Sequence, residues 1–306
     1  MVFSKTCNIG QGASSDCVSS AYMEVTKYSK GSVDVGTPFP KPLHNIVVKK
    51  VADMAGKGPG CKKIPCQFSS PIFSSLPLVE HSHNLLAEKE INFLYDLLSQ
   101  KSPCNILVFG LETQYSFQIS TINRGGFTVF LEDNPANIKL YNSTSNADST
   151  CIHRVEYQTV ARDAYKILKH VRENQKDCYI SAIARRSSSK HDVHSSSSRK
   201  CKFMSLVTNV PKEVYEVKWD LVIVDGPEGD NPESPGRMAA IYIADIVARR
   251  SKKNNGTHVL VYDVDRMIEK WFSWEFLCDT NLVSSKGKFW DFNILAKQNA
   301  TTFCPA

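Results

Sequence analysis

The stretch that decides the fold is Trp219–Met238, WDLVIVDGPEGDNPESPGRM. It contains four consecutive apolar residues, Leu221–Val224, a run short enough for a strand that is buried on both faces of a sheet. Asp225-Gly226 ends this run, and residues typical of turns follow. A helical pattern is then predicted from about Pro235 to Arg250. A buried strand, a turn and a helix form the repeating unit of a parallel α/β sheet.

The same unit recurs on both sides of this stretch. Further apolar runs that predict strands are NILVFG at 105–110, FTVFLEDN at 127–134, THVLVYDV at 257–264 and KFWDFNI at 288–294. Helical spacing of apolar residues is found between or beside them, at 87–100, 159–174 and 267–277. The order of these runs predicts an α/β fold with a mainly parallel sheet, right-handed crossovers and helices on both faces.

The predicted domain spans residues 81–296. Residues 1–80 are rich in Ser, Gly, Pro and Lys, which predicts a poorly ordered N-terminal extension, and residues 297–306 are predicted to be a C-terminal tail. The low-complexity segment at 187–198, SSSKHDVHSSSS, predicts a surface insertion. No apolar run reaches the ~18 residues of a membrane span, and the start lacks the layout of a signal peptide, so no transmembrane helix is visible in the sequence.

The composition is that of a globular protein, because 42% of the 306 residues are apolar and 22% are charged. The net charge of +6 is mild and favours an acidic polymer, either a polysaccharide that carries uronic acids or a nucleic acid. No stripe of basic residues interleaved with aromatic ones occurs, so nucleic acid is not predicted as a partner.

Ten cysteines leave the compartment open, since they are many for the cytosol but too few for a disulfide scaffold. Two pairs flank loops that a disulfide could close in an oxidising compartment, Cys61 with Cys66 and Cys178 with Cys201. Three glycosylation sequons, at Asn142, Asn255 and Asn299, are compatible with secretory passage but also arise by chance.

In an open parallel sheet, ligands bind beyond the carboxyl ends of the strands. The first predicted strand ends in Gly110, where a tight turn would point backbone N–H groups at a ligand. The second ends in Glu132, about 20 residues further on, where an acid can accept hydrogen bonds from both ribose hydroxyls. The third ends in Asp225 and Gly226, which suit close approach to a nucleoside such as S-adenosylmethionine (SAM). Each of these residues is also a common turn residue.

The fourth strand ends in Asp263, the candidate general base for a sugar hydroxyl, and Asp263 with Asp225 could hold a divalent metal ion. Arg237, expected in the first turn of a helix where a cation opposes the helix dipole, is the candidate for gripping a substrate carboxylate. Asp265 and Arg266 are expected to form a surface ion pair.

Other catalytic arrangements are not supported by the sequence. No G-x-S-x-G elbow follows a strand, which argues against a hydrolase triad. His191 and His194 lie in the Ser-rich segment, where a metal site would lack a rigid frame. Trp271 and Trp274 are expected to pack in the core, although an exposed tryptophan can stack on a sugar ring.

Several segments resemble successive blocks of the DUF579 polysaccharide biosynthesis family, which includes glucuronoxylan 4-O-methyltransferases and the irregular-xylem-fifteen group. They are CNILVFGLE, TVFLEDN, WDLVIVDGPEGDNPESPGRMAAIYIADIVARR, THVLVYDVDR, EKWFSWEFLC and KGKFWDFNI, and together they cover about residues 85 to 295. The block DGPxGDxPxSPGRM is the most specific of them. The resemblance implies a Rossmann-like sheet of the SAM-methyltransferase type.

The resemblance also implies a Golgi protein of plant secondary cell walls that moves a methyl group from SAM to the 4-hydroxyl of glucuronic acid side chains on xylan, with dependence on a divalent metal. Xylan-synthesising Golgi proteins would be its partners. Gly110, Glu132 and Asp225 would then line the SAM pocket, and Arg237 and Asp263 would face the sugar. The alternative is a non-catalytic xylan-assembly factor that keeps the fold.

Two features depart from this family. Its members usually carry a histidine before the aspartate of the fourth-strand block, whereas this chain has Tyr262. They also generally begin with a short tail and one transmembrane helix, which the N-terminal sequence does not show. The first departure puts catalysis in doubt if that histidine assists proton transfer or binds metal.

Overall fold

The computed structural model describes residues 86–112, 115–144, 150–184, 201, 206–251, 253–296 and 300–304. The predicted extension 1–80, the Ser-rich segment 187–198 and the pair Cys61 and Cys66 lie outside these residues. The proposed domain boundaries therefore stay predictions.

A seven-stranded sheet forms the centre of the fold, in the order β3-β2-β1-β6-β7-β9-β8. Its strands are β1 (Asn105–Phe109), β2 (Phe127–Glu132), β3 (Thr150–Arg154), β6 (Leu221–Val224), β7 (Thr257–Val261), β8 (Leu282–Lys286) and β9 (Phe289–Ile294). The first five strands in this order pair in parallel, whereas β9 runs antiparallel to both β7 and β8. Two short strands, β4 (Glu156–Tyr157) and β5 (Val207–Thr208), pair separately.

The order of the sheet reverses between β1 and β6, because the chain builds outward to β3 and then returns to the other side of β1. This is the doubly wound arrangement, which opens a crevice at the carboxyl ends of the central strands. An antiparallel hairpin, β8–β9, completes the sheet. The predicted fold class is confirmed.

Helices cover both faces of the sheet. Their bounds are α1 (Glu88–Lys101), α2 (Ser116–Ile122), α3 (Pro135–Thr144), α4 (Ala164–Glu173), α5 (Gln175–Ala184), α6 (Met238–Ser251) and α7 (Met267–Phe276). One core contains α1, α2 and α3, with Leu94 and Ile119 against β1. The other contains α4 to α7, with Leu168 and Phe272 among its buried residues. Helix α6 is buried almost throughout, because it contacts the sheet at β6 and β7 and also packs against α7.

The structure corrects two local predictions. The long helix begins at Met238 rather than at Pro235, since Gly236 adopts a left-handed conformation with φ of 69° that ends the preceding loop. Arg237 therefore lies just before the helix and not in its first turn. The helical pattern at 159–174 is confirmed only from Ala164, because Ala161–Asp163 forms a separate single turn.

Disulfides tie down two segments of the domain. Cys178 is bonded to Cys201, as the sequence suggested, and Cys278 is bonded to Cys304. The second bond holds the end of the described chain, where the ring of Phe303 is buried against Phe276 at 4.9 Å between centroids. Within the described residues, no helix has the length and apolar character that crossing a bilayer requires.

Candidate functional site

A cleft of about 360 Å³ opens where the sheet order reverses. Its walls come from the carboxyl ends of β1, β2 and β6 and from the first turn of α3. The predicted cofactor residues Gly110, Glu132, Asp225 and Gly226 all line it. The volume lies within the range of small-molecule sites, so the cleft is large enough for a nucleoside ligand.

Two glycines let the ends of β1 and β6 approach each other more closely than any side chain would allow. A Cβ placed on Gly226 would lie 2.6 Å from the Cα of Gly110, and one on Gly110 would lie 2.9 Å from the nitrogen of Gly226. Gly110 also has a φ of 97°, a conformation that other residues rarely adopt. The floor of the cleft is therefore bare backbone.

Glu132 is the last residue of β2 and is only 3% exposed. Its Oε1 accepts hydrogen bonds from the backbone N–H of Asn134 at 2.8 Å and from Nδ2 of Asn137 at 3.3 Å. Burial raises the pKa of Glu132 to about 7, and the N–H of Asn134 opposes this shift. An acceptor held in this way at the cleft wall suits the hydroxyl pair of a ribose.

Asp225 follows β6 and belongs to a buried network. The Tyr115 hydroxyl donates a hydrogen bond to its Oδ2, and Nη2 of Arg237 donates to its Oδ1 at 3.1 Å. Burial raises the pKa of Asp225 to about 7, while the Arg237 guanidinium acts in the opposite direction. This carboxylate can therefore change its protonation state near neutral pH while facing the cleft.

Arg237 connects Asp225 to Asp263 behind the cleft wall. Nη2 of Arg237 lies 3.0 Å from Oδ2 of Asp263, and Nη1 donates to the carbonyl of Tyr262 at 2.9 Å. Its Nε donates to the carbonyl of Pro227 at 3.3 Å, and the residue is only 5% exposed. The structure thus joins the predicted catalytic residues to Asp225, but it places neither in the lining of the cleft.

Asp263 is fully buried and contacts two further cations. Arg266 forms an ion pair with its Oδ2, and Nζ of Lys288 lies 3.5 Å from its Oδ1. Arg266 therefore pairs with Asp263. The predicted surface ion pair between Arg266 and Asp265 is not among the ion pairs of the described residues. The catalytic roles of Asp263 and Arg237 stay predictions, and the observed contacts suit positioning of Asp225.

A divalent metal ion does not fit between Asp225 and Asp263. Arg237 already occupies the space between the two carboxylates, with 3.1 and 3.0 Å contacts, and Arg266 adds a second cation beside Asp263. A dication would have to displace these charges. Within the described residues, the cluster with metal-ligand spacing is His170, Cys178 and Cys201, whose two sulfurs are joined in a disulfide.

Sequence reasoning did not find four residues of this region. Asn137 in the first turn of α3 follows a strand-ending acid, and that position could have indicated it. Tyr115 and Glu269 gave no signal, because their roles depend on burial. Lys288 gave none, because its contact with Asp263 depends on the fold. Glu269 is 1% exposed, its pKa is raised by burial, and neither of its oxygens has a hydrogen-bond partner in the described part of the chain.

Comparison with known proteins identifies the family. The sequence model of the IRX15/IRX15L/GXM family matches residues 89–292. This range covers the described strands and helices except for the first residue of α1 and the last two residues of β9. The chain belongs to the IRX15/IRX15L/GXM family. The resemblance read from the sequence blocks is thus confirmed.

Three members of the family from Arabidopsis thaliana illustrate the relationship. Arabinogalactan O-methyltransferase 2 is 37% identical over 70% of this chain and 68% of its own length. Glucuronoxylan 4-O-methyltransferase 2 is 35% identical over 71% of this chain and 69% of its own length. Protein IRX15-LIKE is 35% identical over 70% of this chain and 64% of its own length.

Tyr262, at the position where the resemblance led us to expect a histidine, is 2% exposed and packs on Phe289 with 4.8 Å between ring centroids. The guanidinium of Arg237 and the ammonium of Lys288 lie 5.9 and 5.8 Å from its ring centre. Burial raises the pKa of Tyr262 above its ordinary value. The ring therefore packs beside the cations Arg237 and Lys288, and it is not part of the lining of the cleft.

Proposed function

We propose that this protein is a SAM-dependent O-methyltransferase that acts on the 4-hydroxyl of glucuronic acid side chains of xylan. The single observation that carries the proposal is the cleft at the switch point of the sheet. Its floor is the bare backbone of Gly110 and Gly226, and its wall holds the buried carboxylate of Glu132. Relatives named as glucuronoxylan 4-O-methyltransferases support the reaction.

The residues of the cleft fit SAM. Glu132 would accept hydrogen bonds from the ribose hydroxyls, and the turn at Gly110 would lie against the amino-acid part of the molecule. Further acids, among them Asp133 and Glu228, give the cleft a negative charge that suits a sulfonium cation. When bound, SAM supplies an activated methyl group for transfer to a nucleophilic oxygen.

Asp225 is the group that we place near the acceptor hydroxyl. It lines the cleft, and a carboxylate whose pKa is about 7 can accept a proton at neutral pH. Arg237 and Asp263 would hold it in position through the buried ion pairs, and Tyr115 would orient its second oxygen.

A second acceptor class is favoured by one observation. Two relatives, at 37 and 36% identity, are named arabinogalactan O-methyltransferases. Arabinogalactan therefore has to be tested beside xylan as the substrate. A non-catalytic assembly role, the other possibility for this family, has no feature of the cleft in its favour.

We also place the protein in the lumen of the Golgi apparatus, in secondary-wall formation and beside xylan-synthesising proteins. Support comes from the disulfides Cys178–Cys201 and Cys278–Cys304, since such bonds persist in oxidising compartments of the secretory pathway.

The deciding experiment incubates the protein with methyl-labelled SAM and either glucuronoxylan or arabinogalactan oligosaccharides, with and without added divalent metal. The proposal expects label on the uronic acid of xylan, and much less label with Glu132→Gln. If folded protein binds SAM but labels neither acceptor, the methyltransferase function is wrong and an assembly role gains support. Label only on arabinogalactan would correct the acceptor.

A further inference from the structure

A second concavity, of about 520 Å³, lies at the amino edge of the sheet, opposite the cleft. Its lining comes from residues that precede the adjacent strands β1, β6 and β7. They are Lys101, Lys218, Asp220, Lys253, Asn254, Asn255 and Gly256. The proposed function gives this concavity no part, because ligands of an open parallel sheet bind at the carboxyl edge.

The lining of the concavity is polar, but most of its charge is already balanced. Lys253 forms an ion pair with Asp220, whose Oδ2 also accepts the backbone N–H of Asn105 at 2.9 Å. Lys101 ends α1, where a cation offsets the helix dipole. The concavity therefore suits a neutral polar ligand that can donate and accept hydrogen bonds, such as a sugar, better than it suits an anion.

Asn255 lies at this concavity in a tight turn before β7, and it begins the sequon Asn255-Gly256-Thr257. The backbone N–H of Gly256 donates to the carbonyl of Lys253 at 3.1 Å, which closes the turn. Asn255 is exposed, and its side-chain amide forms no hydrogen bond with the described part of the chain. The acceptor group of the sequon is therefore available at the concavity.

The other two residues of the sequon have structural roles. Gly256 has a φ of 78°, and a Cβ at this position would collide with the side chain of Asn293. Thr257 is fully buried, and its Oγ1 donates to the carbonyl of Trp219 at 2.8 Å. Folding thus accounts for Gly256 and Thr257, whereas no contact among the described residues accounts for Asn255.

We propose that Asn255 carries an N-linked glycan whose first N-acetylglucosamine lies in this concavity. The inference rests on the lumenal location given under the proposed function, because the glycan is transferred in the lumen of the secretory pathway. The donor is an oligosaccharide joined at C1 to a lipid pyrophosphate. The amide nitrogen of Asn255 forms a bond to C1, the bond from C1 to the pyrophosphate oxygen breaks, and the nitrogen loses one proton.

The burial of Thr257 determines when this transfer takes place. The sequon needs the hydroxyl of its third residue, and this hydroxyl is enclosed once β7 has joined the sheet. Thr257 pairs with Ile294 of β9, which is synthesised later because it lies further along the chain. The sequon therefore exists before its partner strand does, and the glycan is attached before this edge of the sheet folds.

The test is mass spectrometry of the full chain expressed in plant cells whose mannosidases are inhibited, after treatment with endoglycosidase H and trypsin. The tryptic peptide 254–266 is expected to retain an N-acetylglucosamine on Asn255. Asn254→Gln, which changes the adjacent asparagine outside the sequon, should keep the sugar, and Asn255→Gln should lose it. Because Asn255 lies at the edge opposite the cleft, Asn255→Gln should leave SAM affinity and methyl transfer unchanged.

Cell fractionation and a methyl-transfer assay separate failure of this inference from failure of the proposed function. An unmodified peptide 254–266 from protein in the lumen overturns the glycan site, whether or not methyl transfer is detected. Protein found outside the lumen overturns the location and the glycan site together. Sugar on Asn255 of a protein that transfers no methyl group supports the site even though the proposed reaction fails.

Discussion

Glu132 illustrates at the scale of one residue how a binding group can cost stability. Its pKa is raised from an ordinary 4.5 to about 7, so the folded protein holds this proton more tightly than the unfolded chain between these values. Stability from this group is therefore lost as the pH rises through that window. Glu132→Gln is expected to raise the melting temperature at pH 8 and to change it little at pH 5. Differential scanning calorimetry measures the melting temperature at each pH. An equal change at pH 8 and pH 5 would contradict this expectation.

The same substitution should weaken SAM binding at pH 8, because an amide is a poorer acceptor for the ribose hydroxyls than a carboxylate. Hydrogen bonds to charged groups contribute about 1.5–3 kcal/mol, which corresponds to a loss of roughly 10- to 100-fold in affinity. Titration calorimetry measures it, and Glu173→Gln, which changes an exposed glutamate on α4 outside the cleft, is the matched control. Unchanged affinity in Glu132→Gln would remove Glu132 from the site.

Arg237 is expected to be essential for stability, since it neutralises two buried carboxylates. Arg237→Met would leave Asp225 and Asp263 without this cation, and breaking a buried pair in this way costs about 3–5 kcal/mol. Arg162→Met removes an exposed pair with Glu233 and should cost less than about 1 kcal/mol. Urea unfolding compares the two variants, and similar losses would refute the assigned role of the buried network.

At the scale of elements, the contact between the ends of β1 and β6 determines the floor of the cleft. Gly110→Ala and Gly125→Ala both place a side chain on backbone with positive φ, of 97° and 89°. Only at Gly110 would the new Cβ also meet backbone, at 2.9 Å, whereas at Gly125 its nearest neighbour is 4.0 Å away. Both variants should lose stability from backbone strain, but only Gly110→Ala should lose SAM binding. Retained binding in Gly110→Ala would show that the floor does not contact the ligand.

The elements also show how far the sequence alone could lead. Strands β1, β2, β6, β7 and β9 were predicted, because their apolar runs report burial on both faces. Strands β3 and β8, with the sequences TCIHR and LVSSK, were missed because they lie at the two edges of the sheet and carry polar residues. The start of α6 was predicted at Pro235, but the left-handed turn at Gly236 delays it to Met238.

The site was predictable where it follows from topology and not where it follows from side-chain packing. Glycines and acids at strand ends indicated Gly110, Glu132 and Asp225, since the carboxyl ends of parallel strands meet at one edge. The link from Arg237 to Asp263 depends on the direction of a buried side chain, so it required coordinates. For the same reason Glu269 was read as part of an ordinary helix.

At the scale of the whole molecule, disulfides are expected to supply a measurable part of the stability. The Cys278–Cys304 bond closes a separation of 26 residues, for which chain entropy predicts about 3.5 kcal/mol. The double substitution of both cysteines by serine should lower the free energy of unfolding by about 2–4 kcal/mol. Urea unfolding with and without reductant measures this loss. In the unaltered protein, reductant also breaks Cys178–Cys201, so it should lower the free energy of unfolding by more than the double substitution does. No loss in the double variant would mean that packing of Phe303 alone holds this segment.

The central claim is that one cleft, between the ends of β1, β2 and β6, binds the nucleoside of SAM. The most direct measurement is a crystal structure of the protein with S-adenosylhomocysteine, the product of SAM after methyl transfer. The account predicts both ribose hydroxyls on the carboxylate of Glu132 and the amino-acid portion over Gly110 and Asp225. A nucleoside bound at any other place on the molecule would contradict it.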